Sequence, residues 1–192
     1  TIACGALSGM HAMVSSGTSP KMIQKETQAR MIGYAGMLME SFVAIMALAA
    51  AVSLSPGIYF SMNTSTDTLG KLAGPDVVAA TPCDTANDPD HHCEELAETA
   101  VANLGVTDAH GNPIIPEWDS WDEAGNPTTY TGAAALERLA GDVGEPNVVA
   151  RTGGAPTLSV GMAHILHQIG GGRTMMGFWY HFAIMFEALF IL

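Results

Sequence analysis

The chain has 192 residues, with 19 acids against seven Lys and Arg and a formal charge of −12. Only 14% of residues are charged and 48% are hydrophobic, which excludes a soluble coiled coil or a disordered acidic tail. The acidic balance argues against nucleic-acid binding, which needs a basic face. The charge is unevenly spread. Residues 64–151 carry 16 acids and only Lys71, Arg138 and Arg151, whereas Glu40 is the one charged side chain in 31–63 and Glu187 the one in 174–192. Apolar ends therefore flank an acidic middle. Residue 1 is Thr, and the chain stops inside the apolar run Phe190-Ile191-Leu192. The expectation is an internal fragment of a longer membrane protein.

Residues 1–16, TIACGALSGMHAMVSS, are apolar and rich in small residues. Gly5 and Gly9 fit a close helix crossing in lipid or any tightly packed helix end. Gly17-Thr18-Ser19-Pro20 breaks this run, with Ser19 as N-cap and Pro20 at the first helical position of a polar helix over 20–30. Residues 31–54 are almost wholly apolar. As a helix they cover roughly 36 Å, enough for a ~30 Å hydrocarbon core. Lys21, Lys25 and Arg30 precede this span, so the positive-inside rule places residues 20–30 in the cytoplasm and 57–153 outside.

The acidic middle is too long to lack structure of its own. A helix is expected from Asp88-Pro89 to Gly105, and a second from near Thr131 over AAALERLAGDV. Between them, GNPIIPEWDSWDEAGNP has turn chemistry, and no strand is expected there. Residues 156–169 lie between Gly153-Gly154 and Gly170-Gly171-Gly172. A helix of that length cannot cross a bilayer, so it reads as a re-entrant segment of a broken helix or as an amphipathic helix on the membrane surface. Residues 174–192 begin another span, with Phe178, Trp179 and Tyr180 as an interfacial aromatic belt.

Long strings in this order resemble the carbon starvation protein family, CstA. They are TIACGALSGMHAMVSSGTSPK, ARMIGYAGMLMESFVAIMALAAA, SPGIYFSMNT, GEPNVVARTGGAPTLSVGMAHI and MGFWYHFAIMFEALFIL. They cover residues 1–63 and 144–192; residues 64–143 match no family pattern at this stage. The resemblance implies a multi-pass protein of the bacterial inner membrane and a secondary transporter with discontinuous helices. It implies import of peptides or pyruvate, coupled to protons or sodium. The expected fold is accordingly an all-α polytopic membrane bundle, of which this chain is a fragment, with an irregular, partly helical extracytoplasmic region. Residues 1–63 form a membrane segment and 64–151 the outer region. Residues 152–192 hold the glycine-flanked helix and the next span.

Glu40 sits within a span, where a carboxylate costs at least ~2.5 kcal/mol to insert, which marks it as a candidate proton carrier or a helix-pairing group. His11, Ser15, Ser16 and Thr18 lie at the first helix break, where exposed amides and hydroxyls can hold a substrate carboxylate; a plain turn is the alternative. His164 and His167 share a face of the 156–169 helix and suit proton relay better than metal, because no acid or Cys stands at ligand spacing. His181 and Glu187 lie too far around a helix to pair, and each is expected to face the bundle or the interface. Cys83 and Cys93 enclose nine residues; a disulfide there is worth ~2–3 kcal/mol in the chain-entropy picture. Asp90, His91 and His92 leave a zinc site or free thiols as alternatives, although this Cys spacing is not a usual ligand pair. No metal site or cofactor is assigned. No nucleophile elbow, phosphate loop or HExxH pattern is present, so no enzyme is expected. The expected partners are a carboxylated substrate, a coupling ion, the lipid bilayer and the rest of the same chain. The rival reading is a membrane-anchored sensor that binds a ligand through its acidic outer region.

Overall fold

The computed structural model describes residues 13–74, 92–152, 154–169 and 172–191. The chain divides into two compact units, Thr1–Met46 and Ala47–Leu192. In the first, a π-helical turn, Val14–Thr18, leads directly into α1 (Ser19–Met22). Here the expected break moves. Thr18 precedes α1 in helical geometry with no side-chain cap, and the chain turns extended only at Ile23. The wider π turn takes up the register change that Pro20, having no N–H to give, would otherwise force. The expected polar helix over 20–30 is thus split, and its second half starts α2 (Glu26–Val52).

Among the described residues, α2 is the one helix long and apolar enough to cross a membrane. Its length follows from an unbroken supply of Ala, Met, Leu and Ile, mostly good helix formers. It is apolar on all sides, and Met31, Leu38, Phe42, Ile45 and Leu48 are all more than half exposed. That is the surface of a helix made for lipid or for other membrane helices.

The second unit begins with the end of α2 and continues into α3 (Pro56–Asn63) and α4 (Thr66–Ala73). Ser55 caps α3 by accepting from the Ile58 amide, and Pro56 takes the first position. α5 (His92–Asn103) follows, and the Asn103 amide donates to the Leu72 and Ala73 carbonyls, closing the end of α4. The expected start of α5 at Asp88-Pro89 lies outside the described residues. Next come β1 (Glu117–Trp121), β2 (Pro127–Thr131) and α6 (Ala133–Val143). The Glu98 carboxylate of α5 accepts from the Ala133 amide at 2.8 Å, so one helix caps the N-terminus of another. α7 (Ala155–Ile169), a 3-10 turn (Arg173–Met175) and α8 (Met176–Ile191) complete the chain.

The hairpin corrects the sequence reading, which placed no strand here. β1 and β2 pair antiparallel, with Trp118 opposite Tyr130 and Ser120 opposite Thr128. The signal was a repeat, Asp-x-x-Gly-Asn-Pro, present at 108–113 and again at 122–127. Both copies fold alike. In each, the Asp side chain accepts from the Asn backbone N–H (2.9 and 2.8 Å) and from the Asn side-chain amide (3.2 and 3.0 Å). Gly111 and Gly125 stand at φ 85° and 86°, where a Cβ would be strained. The first copy closes a single bridge, Thr107 to Pro113; the second closes the full hairpin. Pro127 is tolerated because it opens an edge strand.

One hydrophobic core joins these elements. Ile58 and Met62 of α3, Leu69 of α4, Leu96 and Ala97 of α5, and Leu136 and Leu139 of α6 meet Val160, Ala163, Met176 and Tyr180 of the last two helices. Tyr180 departs from the expected aromatic belt: it is buried, while Phe178 on the same helix is exposed. Their helical offset turns one ring inward and the other outward.

Two measurements test this fold. Leu136 is fully buried, so Leu136→Ala should lower stability by ~2–5 kcal/mol in denaturant unfolding of the detergent-solubilised protein. Hydrogen bonds from Asn126 hold the Asp122 carboxyl below its ordinary value of 3.8. The turn's stabilisation is therefore present above that value and lost as pH falls through the lowered one. The protection factor of the Asn126 amide, taken against intrinsic exchange at each pH, should fall over that window, and Asp122→Asn should remove this pH dependence.

Candidate functional site

α7 is the centre of the polar groups in the second unit. Its middle crosses the end of α2 backbone to backbone: a Cβ built on Gly161 would lie 2.3 Å from the Ala50 carbonyl oxygen. Only glycine permits this approach. On the same side of the helix, Thr157 is buried and its hydroxyl accepts from the Asn63 amide of α3 at 2.9 Å. The loop before α7 is tied to α3 as well. The Ala150 amide donates to the Ser61 carbonyl at 2.9 Å, and Ala150 itself takes φ 54°. Arg151 braces this loop, donating from Nε to the Asn147 carbonyl and pairing with Glu145 at 3.1 Å.

Two polar layers result. In the first, Ser159 is fully buried, and its hydroxyl has no hydrogen-bond partner among the described residues; the same holds for Oε2 of the half-buried Glu187. α7 and α8 pack against each other across a short connection, so they run antiparallel. Ser159 lies ten residues before Ile169 and Glu187 eleven after Met176, so both are about 15–16 Å from the connection. Glu187 also continues the buried stripe of Met176 and Tyr180. Buried polar atoms without partners are few in folded proteins and each needs a reason.

The second layer sits nearer the connection. The rings of His164 and His167 are 5.4 Å apart. Trp118 of β1 packs on His164 at 4.9 Å, and Trp121 meets His167 edge-on at 5.3 Å. Trp118 is fixed from behind: its Nε1–H donates to Asp142 at 3.0 Å, and Asp142 also receives Ser120 and pairs with Arg138 at 3.0 Å. Burial, and then the charge of His167, holds His164 below the ordinary imidazole value, while Asp119 pulls the other way.

The other expected site residues fall as follows. Ser16, Thr18 and Glu40 are exposed in the first unit. Ser15 lies in the π turn, and His11 lies outside the described residues. Cys93 is buried and disulfide-bonded; Cys83 lies outside the described residues. Among the described residues no group of three or more His, Cys, Asp or Glu is placed to hold a metal ion. The structure brings His164 to His167, as the helical spacing implies. Sequence reasoning missed Ser159, Trp118 and Trp121. Ser159 had no signal beyond an apolar helix, but the two tryptophans three apart in a turn-flanked segment were visible.

These features define a mainly helical protein with, among the described residues, one membrane-length apolar helix and a short helix, bearing buried polar side chains, packed inside its second unit. The chain belongs to the carbon starvation protein CstA family, whose description matches residues 1–115 and 119–192. The match takes in most of the acidic middle, which the sequence reading left without a family pattern. The chain is 46% identical over 192 residues to the peptide transporter CstA of Escherichia coli (strain K12) and 47% over 193 to the pyruvate/proton symporter BtsT of the same strain. It is 44% identical over 195 residues to the peptide transporter CstA of Mycobacterium tuberculosis (strain H37Rv). Each alignment covers all of this chain but only 22%, 24% and 20% of the respective relative. The chain thus spans about a fifth to a quarter of their length. No solved structure matches it.

A substitution at Trp118 tests the second layer. Trp118→Phe removes the donor to the buried Asp142 while keeping an aromatic ring against His164. The expected loss is ~1–3 kcal/mol of stability in denaturant unfolding, and the same substitution should cost much less in an Asp142→Ala background, where the acceptor is already gone.

Proposed function

We propose that this chain is part of a multi-pass secondary transporter of the bacterial inner membrane that imports peptides or pyruvate by proton-coupled alternating access. The observation that carries the reading is family membership, with relatives named as a peptide transporter and a pyruvate/proton symporter. In this reading α2 crosses the bilayer, its basic N-terminal flank lies in the cytoplasm, and the acidic middle faces outward. α7, at 15 residues, covers about 22 Å and is a re-entrant helix walled by protein.

Glu187 and Ser159 suit the coupling step. A half-buried carboxylate with an unpartnered oxygen is a place for a proton or a small cation, and protonation removes the cost of the charge; Ser159, at about the same height on α7, offers a hydroxyl. Glu40 remains a second candidate carrier, and the segment from His11 to Thr18 a candidate holder of the substrate carboxylate.

The sensor reading is the weaker one. A ligand-binding module on an anchor needs a core of its own, whereas the acidic middle shares its core with α3, α7 and α8.

The test is uptake by the intact protein in cells that lack endogenous routes, comparing labelled pyruvate with a labelled dipeptide. Uptake of one substrate, collapsed by a protonophore and indifferent to sodium removal, is expected. Glu187→Gln should abolish the protonophore-sensitive part. Absence of uptake of either substrate, with the protein confirmed in the membrane, would overturn the reading.

A further inference from the structure

The two ring contacts between the hairpin and α7 place a pair of imidazoles between separate elements of the second unit. Trp118 on His164 and Trp121 on His167 hold β1 and its end against the last turns of α7. We propose that this four-ring contact is an acid-opened latch: neutral imidazoles hold the hairpin on α7, and a proton taken up by the pair releases it. The latch rests on the transporter reading for its use and for the outward placement of the hairpin.

The physical argument begins with partners. His164 Nδ1 is enclosed and has no hydrogen-bond partner among the described residues. A proton added there would have no acceptor while the hairpin is seated, and water would supply one once it lifts. His167 Nδ1 faces the Ala163 carbonyl at 3.2 Å, so its ring is held in place on α7 itself. With the rings 5.4 Å apart, two positive charges cannot share the site without strong repulsion.

The surrounding charges do not supply the missing acceptor. On β1, Asp119 favours the cation through its charge but makes no hydrogen bond to His164 Nδ1, and Glu117 is exposed at the strand's start. On α6, Asp142 is occupied by Arg138, Ser120 and Trp118. On α8, His181 lies beside the Tyr180 ring, and Glu187 is level with Ser159, toward the other end of α7. α3 offers only Tyr59, and the end of α2 offers no charged side chain. A face of Trp118 stabilises a cation only modestly. Burial outweighs these, since His164 sits below the ordinary imidazole value of 6.5. The latch is therefore stabilising above that value and is lost as pH falls through the lowered one. An importer driven by protons meets acid on its outer side, which is the condition that lifts the hairpin.

The experiment measures the latch without substrate. Spin labels at Thr128→Cys and Gln168→Cys, both exposed positions, report the hairpin-to-α7 distance in the intact protein in liposomes. The pH is taken from about 8 to about 4.5, the range in which imidazoles titrate. A longer or broader distance is expected at acid pH, with a midpoint below the ordinary imidazole value. His164→Gln should abolish the transition. His167→Gln should move the midpoint up and Asp119→Asn should move it down, a pair of opposite shifts that a merely structural contact would not give. An unchanged distance across the range, or a midpoint indifferent to both charge variants, overturns the latch. Uptake measured on the same liposomes separates the two readings. Opening without uptake of pyruvate or dipeptide overturns the transporter and supports the latch. Protonophore-sensitive uptake without opening overturns the latch and supports the transporter.

Discussion

A helix of 15 residues cannot reach across a bilayer, and α7 is such a helix. In the proposed re-entrant placement its ends must be met by protein, because unsatisfied backbone groups in lipid cost several kcal/mol each. The second unit can be understood as the set of contacts that meets this constraint. Gly161 lets the end of α2 lie directly on it, α8 runs back along its length, Asn63 holds Thr157, and the hairpin closes over its last turns. The acidic middle is the wall of α7 and not an appendage beside it.

That arrangement explains why the core ignores the division suggested by composition. The charge arithmetic separates apolar ends from an acidic middle. The buried residues combine them: Leu96, Leu136 and Leu139 from the middle pack with Ile58, Val160 and Met176 from the flanks. Of the acids of α5 and α6, Glu95 and Glu137 are exposed and Glu98 caps α6, while Glu94 is buried in the core and the Asp142 carboxylate is held by Arg138, Ser120 and Trp118. A charged segment can thus contribute half a core if its helices are amphipathic.

What could be read in advance followed from local pattern. α2, α6, α7 and α8 are runs of apolar or amphipathic residues bounded by Gly, Pro or Ser, and their limits lie within a few residues of expectation. The hairpin was missed because its strands have five residues each, too short for a period-two pattern to stand out from a Pro- and Gly-rich stretch. The break at Ser19-Pro20 was misplaced because a π turn is invisible to propensity. For the site, helical spacing already paired His164 with His167, but nothing local could pair them with tryptophans more than 40 positions away in the chain. Ser159 looked like any small polar residue in an apolar helix. Only packing shows that its hydroxyl is enclosed.

The duplicated Asp-x-x-Gly-Asn turns have one more consequence. Each closes through its own Asp, Gly and Asn, using contacts made inside the turn. The two intervening positions, Ala109-His110 and Glu123-Ala124, contribute no side-chain hydrogen bond to that closure. Such tips are interchangeable parts: their sequence can drift, or carry a grafted epitope or fluorophore, without disturbing the chain on either side. They are natural handles by which the molecule can be gripped by an antibody fragment and seen.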